Sequence, residues 1–340
     1  IITMKLRFTA WHIACRRFER LRSAMKLLLA YDGSRCAEAA IDDLVTAGLP
    51  DEVSCHVISV AEVWLPPSDP RESEEPDPAL EALVKRQRQH AAAAVEEAAT
   101  FACHAKSRIR KMFPNWKVTA KGTYGSPAWE ILSKADQLGP DLIVVGSQGQ
   151  SAISRFFLGS ISQKVLTVAR FSVRVARGQN QVDPAPRRIV IGFDGSKGAY
   201  AAVDAVAKRS WPADTRIRIV AVTDPIMPSA IGRFVPPIVH TVNELNESEK
   251  HWVTESALLA AERLERCGLR PTVHIMPGNP KRVLIDIAES WDADCIFVGA
   301  NSFGSRVERY LIGSTSAAIA ARAHCSVEAV RAAPQPTSES

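Results

Sequence analysis

A chain of 340 residues, 46% apolar and 23% charged, is long enough for two domains of about 150 residues and too apolar to be disordered throughout. No run approaches the ~18 uninterrupted apolar residues that a membrane span needs. The net charge of +5 lies entirely in residues 1–24, where Lys5, Arg7, Arg16, Arg17, Arg20 and Arg22 face only Glu19, so the pI near 8.9 gives no reason to expect nucleic acid as a partner.

That basic leader, Ile1 to Ala24, superficially resembles a transit peptide or a membrane-surface helix but lacks a clean hydrophobic core and a small-residue cleavage site. Met25, directly before the apolar run Lys26 to Tyr31, reads as the natural start. The leader is then an extension without structure, with an address or anchor as the alternative. Strands are expected at 26–31, 53–60, 116–121, 141–145 and 172–176, with helices near 35–47, 77–111, 127–137 and 160–170. Ser126-Pro127 places a cap residue before a first-turn proline. The segment 61–77, rich in Pro and Glu, reads as a loop or lid. The polar Pro/Gly stretch 178–186 reads as a linker.

The second half runs the same way. Strands are expected near 188–193, 215–222, 271–275, 294–298 and 326–330, and helices near 197–209, 243–267, 280–290 and 314–323, with Asn279-Pro280 as the matching cap. The segment 223–242, rich in Pro and apolar residues, reads as a loop or lid, and 332–340 is a polar tail expected to fray.

The likeness extends to residues. Lys26-Leu-Leu-Leu-Ala-Tyr-Asp32-Gly33-Ser34 returns as Arg188-Ile-Val-Ile-Gly-Phe-Asp194-Gly195-Ser196, Asp141-Leu-Ile-Val-Val-Gly146 as Asp294-Cys-Ile-Phe-Val-Gly299, and Leu158-Gly159-Ser160-Ile161-Ser162 as Ile312-Gly313-Ser314-Thr315-Ser316. Matches kept in order mark a duplication. Short strands apolar on both faces, alternating with helices, predict an α/β fold: two tandem doubly wound domains, 25–177 and 187–331, each a parallel sheet covered on both sides.

In such a sheet, ligands bind at the carboxyl ends of strands where connections diverge. The first strand ends in Asp32-Gly33-Ser34 and the fourth in Gly146-Ser-Gln-Gly149, followed after nine intervening residues by Gly159-Ser160 at a helix start. Glycines bare main-chain amides to an anion, and the helix start adds unpaired N–H groups and a positive dipole end. This suits a polyphosphate, while the Asp32 carboxylate suits hydroxyl or amine donors such as a ribose.

With that spacing, both copies resemble the universal stress protein family, whose nucleotide-binding members carry Gly-x-x-Gly, nine residues, then Gly-Ser/Thr. The resemblance implies a five-stranded sheet in order 3-2-1-4-5, a dimer-like pairing of the two copies and ATP in the crevice. It further implies that Asp32 holds adenine or ribose, that Val60 touches adenine through its backbone, and that Gly146, Gly149, Gly159 and Ser160 cradle ribose and phosphates. Ile161 adds an amide. Arg155 supplies charge if it faces the crevice; a solvated loop arginine is the alternative. The second copy offers Asp194, Val222, Gly299, Gly313 and Ser314, but Asn301-Ser302 stand where the second glycine belongs and one residue is added before Gly313.

Other features take structural readings. Asp42-Asp43 and Glu96-Glu97 are adjacent on helices and read as solvated faces. Trp129 and Trp291 read as packing on the sheet, and His56 and His274 as satisfied strand residues. Seven scattered cysteines without Cys-x-x-Cys predict thiols in a reducing, cytoplasmic setting. No His/Cys metal cluster, Gly-x-Ser-x-Gly or Gly-Lys-Ser/Thr loop is present. The leading functional reading is an ATP binder, with or without Mg²⁺, that acts through an unidentified protein partner. A slow ATPase or nucleotidyl enzyme with Mg²⁺ on the phosphates plus Asp32 or Ser160, and an interaction module with empty crevices, are the alternatives. Association of two chains stays open.

Overall fold

The computed structural model describes residues 24–63, 78–149, 158–177, 187–224, 236–300 and 313–332. The leader, the linker, Arg155, the Asn301-Ser302 loop, the tail and most of both long loops lie outside the described residues.

The first repeat runs β1 (Met25–Ala30), α1 (Arg35–Thr46), β2 (Val53–Ala61), α2 (Pro78–Met112), β3 (Lys117–Tyr124), α3 (Pro127–Leu138), β4 (Leu142–Gly146), α4 (Ser160–Val168) and β5 (Ser172–Ala176). The second runs β6 (Arg188–Phe193), α5 (Lys197–Ala207), β7 (Arg216–Thr223), α6 (Pro236–Glu265), β8 (Arg270–Pro277), α7 (Pro280–Ser290), β9 (Cys295–Gly299), α8 (Ser314–Arg322) and β10 (Ser326–Val330). The largest departure from expectation is α6, which opens at Pro236 inside the expected loop. Proline has no N–H to satisfy and a helical φ, so Pro236-Pro237 start the helix where they had argued for irregular chain.

Among the described residues all strands lie in one ten-stranded sheet of order β3-β2-β1-β4-β5-β10-β9-β6-β7-β8. Within each repeat the order is 3-2-1-4-5 and every pairing is parallel. The repeats meet through an antiparallel β5–β10 pairing, so the two expected sheets are fused edge to edge and the halves run in opposite senses.

The repeated aspartates before the fourth strands are clips. Asp141 Oδ2 accepts the N–H of Lys26 at 2.8 Å while its own N–H donates to Lys26 O at 2.8 Å; Asp294 and Arg188 repeat this at 2.7 and 2.9 Å. Each clip ties β1 or β6 to the strand across the crevice. Under one face of the sheet, beneath α3, α4, α7 and α8, a single apolar core runs through both repeats, from Leu28, Ile143 and Val165 to Ile296 and Ile319. On the other face the cores are separate, one under α1 and α2 and one under α5 and α6.

Candidate functional site

Strand order puts β1 beside β4, and their chains leave in opposite directions: β1 turns into α1 on one face and β4 into α4 on the other. A crevice therefore opens at their carboxyl ends. The turn after β1 has Gly33 at φ +75°, a left-handed conformation that a side chain would strain. This bends the chain so that Asp32 Oδ1 accepts the N–H of Ser34 at 3.0 Å and Ser34 Oγ accepts the N–H of Ala37 at 3.1 Å, capping α1. Asp32 is thus held at the lip by the turn that starts the next helix.

Across the crevice, Gly149 comes close to that carboxylate: a methyl group there would sit 3.0 Å from Asp32 Oδ2. The loop from β4 closes on α4 through two bonds. Gly159 N donates to Ser147 O at 2.8 Å, and Ser162 Oγ donates to Gly146 O at 2.6 Å. Gly159 is the N-cap of α4 and offers no side chain, no acidic residue occupies the first turn, and Ser160 is exposed. The helix therefore presents its first amides and positive end to the crevice without an internal anion. Val60 lies two residues past Ile58, the last β2 residue paired with β1, so its backbone borders the crevice mouth. Asp32, Val60, Gly146, Gly149, Gly159, Ser160 and Ile161 are thus gathered at one edge of the sheet.

The second repeat reproduces the frame. Gly195 has φ +73°, Asp194 Oδ1 accepts Ser196 N at 2.9 Å, Gly313 N donates to Ala300 O at 3.1 Å and Ser316 Oγ donates to Gly299 O at 2.7 Å. Val222 again follows the last paired residue, Ala221, and Ser314 opens α8 from an uncapping Gly313. One difference stands beside the turn. Gly195 lies against the half-exposed Trp252, whereas Gly33 lies against Phe101.

Sequence reasoning missed the clamp serines Ser162 and Ser316, although both stood in the repeated Gly-Ser motif. It also misread several side chains. Trp129 is 52% exposed with Lys164 Nζ 4.2 Å above its ring, and does not pack on the sheet. Trp291 does contribute to the shared core, with the Arg218 guanidinium 4.1 Å from its ring. Of the acidic pairs, Glu96 and Glu97 are exposed. Asp43 is instead buried and bound to Arg174, and Asp42 pairs with Arg108. His56 and His274 are half-buried and satisfied by Thr119 and Thr272; burial lowers both below the ordinary imidazole range, helped by Lys134 and Lys26 at His56 and by Arg218 at His274. Among the described residues no cluster of three acidic, His or Cys side chains is arranged to hold a metal, and no helix is long and apolar enough to cross a membrane.

The model of the universal stress protein family matches residues 24–177 and again 186–331. A universal stress protein of Mycobacterium tuberculosis is 30% identical over 162 residues, covering 46% of this chain and 53% of that protein; the match thus spans about half of the relative's length. One from Bacillus subtilis is 45% identical over 53 residues, covering 16% of this chain and 36% of its own. The crystal structure of a universal stress protein from Archaeoglobus fulgidus superposes with a TM-score of 0.56 at 20% identity, covering 90% of this chain and 98% of that one, which speaks to the fold. With two successive matches that together take in every strand of the sheet, the chain belongs to the universal stress protein family as a tandem of two repeats.

Proposed function

We propose that this protein is an ATP-binding regulator of the stress response that works through contacts with other proteins, and that the crevice of the first repeat holds the nucleotide. The observation that carries the reading is the convergence, at the β1 and β4 carboxyl ends, of the Asp32 carboxylate with the bare backbone of Gly149 and the uncapped start of α4.

The residues fit the ligand. Amides of Ser160 and Ile161 and the dipole of α4 would take phosphate oxygens beside the bare backbone of Gly149; Gly146 serves the site indirectly, since a side chain there would press on the Cys36 backbone of α1 at 2.9 Å. Asp32 would accept ribose hydroxyls, and the Val60 backbone would meet the adenine edge. Mg²⁺ would ride on the phosphates, with Asp32 or Ser160 completing its oxygen shell. When bound, the ion neutralises phosphate charge.

The second crevice has Asp194, Gly299, Gly313 and Ser314, but Ser302 at the position matching Gly149. Since even a methyl at Gly149 presses on Asp32 in the first repeat, the second is expected to bind more weakly. Denaturing the purified chain should release about one equivalent of adenine nucleotide, lost in Asp32→Ala and in Gly159→Val. ATP at about 100 times its dissociation constant should stabilise the parent by about 2.7 kcal/mol and leave Gly159→Val unshifted. An empty extract with no thermal shift in excess ATP would sink the proposal.

A further inference from the structure

The antiparallel contact between β5 and β10 pairs Val175 with Val327, Arg174 with Glu328 and Val173 with Ala329. Arg174 is the third residue of β5 and Glu328 the third of β10, so the pairing is symmetric about them: a local two-fold axis relating the repeats passes between equivalent positions. The symmetry extends outward. Arg177 N donates to Ser326 Oγ at 2.9 Å, and Arg331 N donates to Ser172 Oγ at 3.1 Å.

A residue on the axis of a two-fold interface between identical copies must face itself. Here the equivalent residues have opposite charge, and both are fully enclosed, Arg174 at 0% and Glu328 at 1% exposure. Arg174 holds Asp43 of its own repeat through Nε at 2.6 Å and Nη2 at 3.0 Å. Across the axis its Nη1 lies 3.1 Å from Cys295 Sγ and 3.4 Å from Glu328 Oε2. Glu328 is also bound by Arg209, whose other amine donates to Ala47 O at 2.8 Å back in the first repeat. Ser326 Oγ donates to Asp43 Oδ1 at 2.7 Å, closing the circuit. A buried ion pair is weak evidence for stability but can select which partner and register are tolerated.

We infer that the opposed charges of Arg174 and Glu328 at the axis make this a sorting interface, which favours the first repeat against the second over either repeat against its own copy. Pairing two first repeats would set guanidinium against guanidinium, each keeping only Asp43 of its own repeat, and pairing two second repeats carboxylate against carboxylate, each keeping only Arg209 of its own repeat, so both would lose the Arg174–Glu328 contact across the axis. The partner that fits this edge is the complementary repeat, from the same chain or from a second one.

The full-length chain tests this with two like-charged variants, Glu328→Arg and Arg174→Glu. Each alone is expected to have a lower urea midpoint than the parent. Unfolded together and refolded as an equal mixture, they can exchange halves: one contact then regains the native Arg174–Glu328 pair and the other a reversed pair. Light scattering should show a two-chain species containing both variants, with a midpoint above that of either alone. Refolding each variant by itself controls for nonspecific association and should not give that species. A mixture that behaves as the sum of its parts, including two variants that fail to fold and do not rescue each other, would overturn the inference. So would either variant matching the parent in midpoint and mass.

Discussion

Asp32 and Asp43 flank and occupy the same helix, yet one borders the crevice and the other is sealed between the repeats. The first was legible because a glycine turn and a serine cap follow it immediately. The second was not, because Arg174, which fixes its burial, stands 131 positions away, and local sequence carries no trace of a partner that distant. The thiols follow burial in the same way. The described cysteines form no disulfide, and burial pushes Cys55 and Cys295 up to about 12 and raises Cys325 as well. Iodoacetamide at pH 8 should therefore modify the exposed Cys103 and Cys267 and spare Cys55, Cys295 and Cys325 until the chain unfolds, as peptide mass mapping would show. A thiol that keeps its proton only when folded adds stability that is whole below its ordinary value near 9 and is lost as pH climbs towards 12. Urea midpoints should accordingly fall over that range, and less steeply in Cys55→Ala. A midpoint slope untouched by that substitution would contradict the assignment.

At the scale of elements, strands and helices were readable because apolar runs, Asp-Gly-Ser turns and Gly-Ser starts recur in order. The start of α6 was not, since two prolines serve a helix opening as well as a loop. The expected caps also divided. Asn279 Oδ1 accepts the N–H of Lys281 at 3.0 Å, whereas Ser126 makes no side-chain bond and α3 starts on its proline. At the opposite helix ends the repeats serve each other. Arg177 Nη2 donates to Ala320 O and Ala321 O of α8, both at 3.0 Å, and Arg331 Nη2 reaches Leu166 O at 3.2 Å and Thr167 O at 3.5 Å in α4. Cations at helix carboxyl ends oppose the dipole. Burial nevertheless draws both guanidiniums below their ordinary range, Arg331 to about 10. Replacing either arginine by alanine should cost about 1.5–3 kcal/mol in urea unfolding, the usual size for hydrogen bonds from a charged group; a change below a few tenths would show these exchanged caps to be idle.

For the whole molecule, duplication was visible in the sequence and strand order came with the family resemblance, but the fusion into a single sheet was not legible, because it depends on two edge strands that never adjoin in the chain. The core beneath α3, α4, α7 and α8 crosses that seam without a break. Unfolding should thus be one transition, with fluorescence and far-ultraviolet dichroism giving the same midpoint and the calorimetric and van't Hoff enthalpies agreeing. Two resolved steps would mean that the repeats melt independently. The reversal of strand direction at the seam also sets the geography of any message this protein carries. Its two mouths open on opposite rims, so an occupant of one is out of reach of an occupant of the other, and a protein wishing to read both must embrace the molecule from two sides.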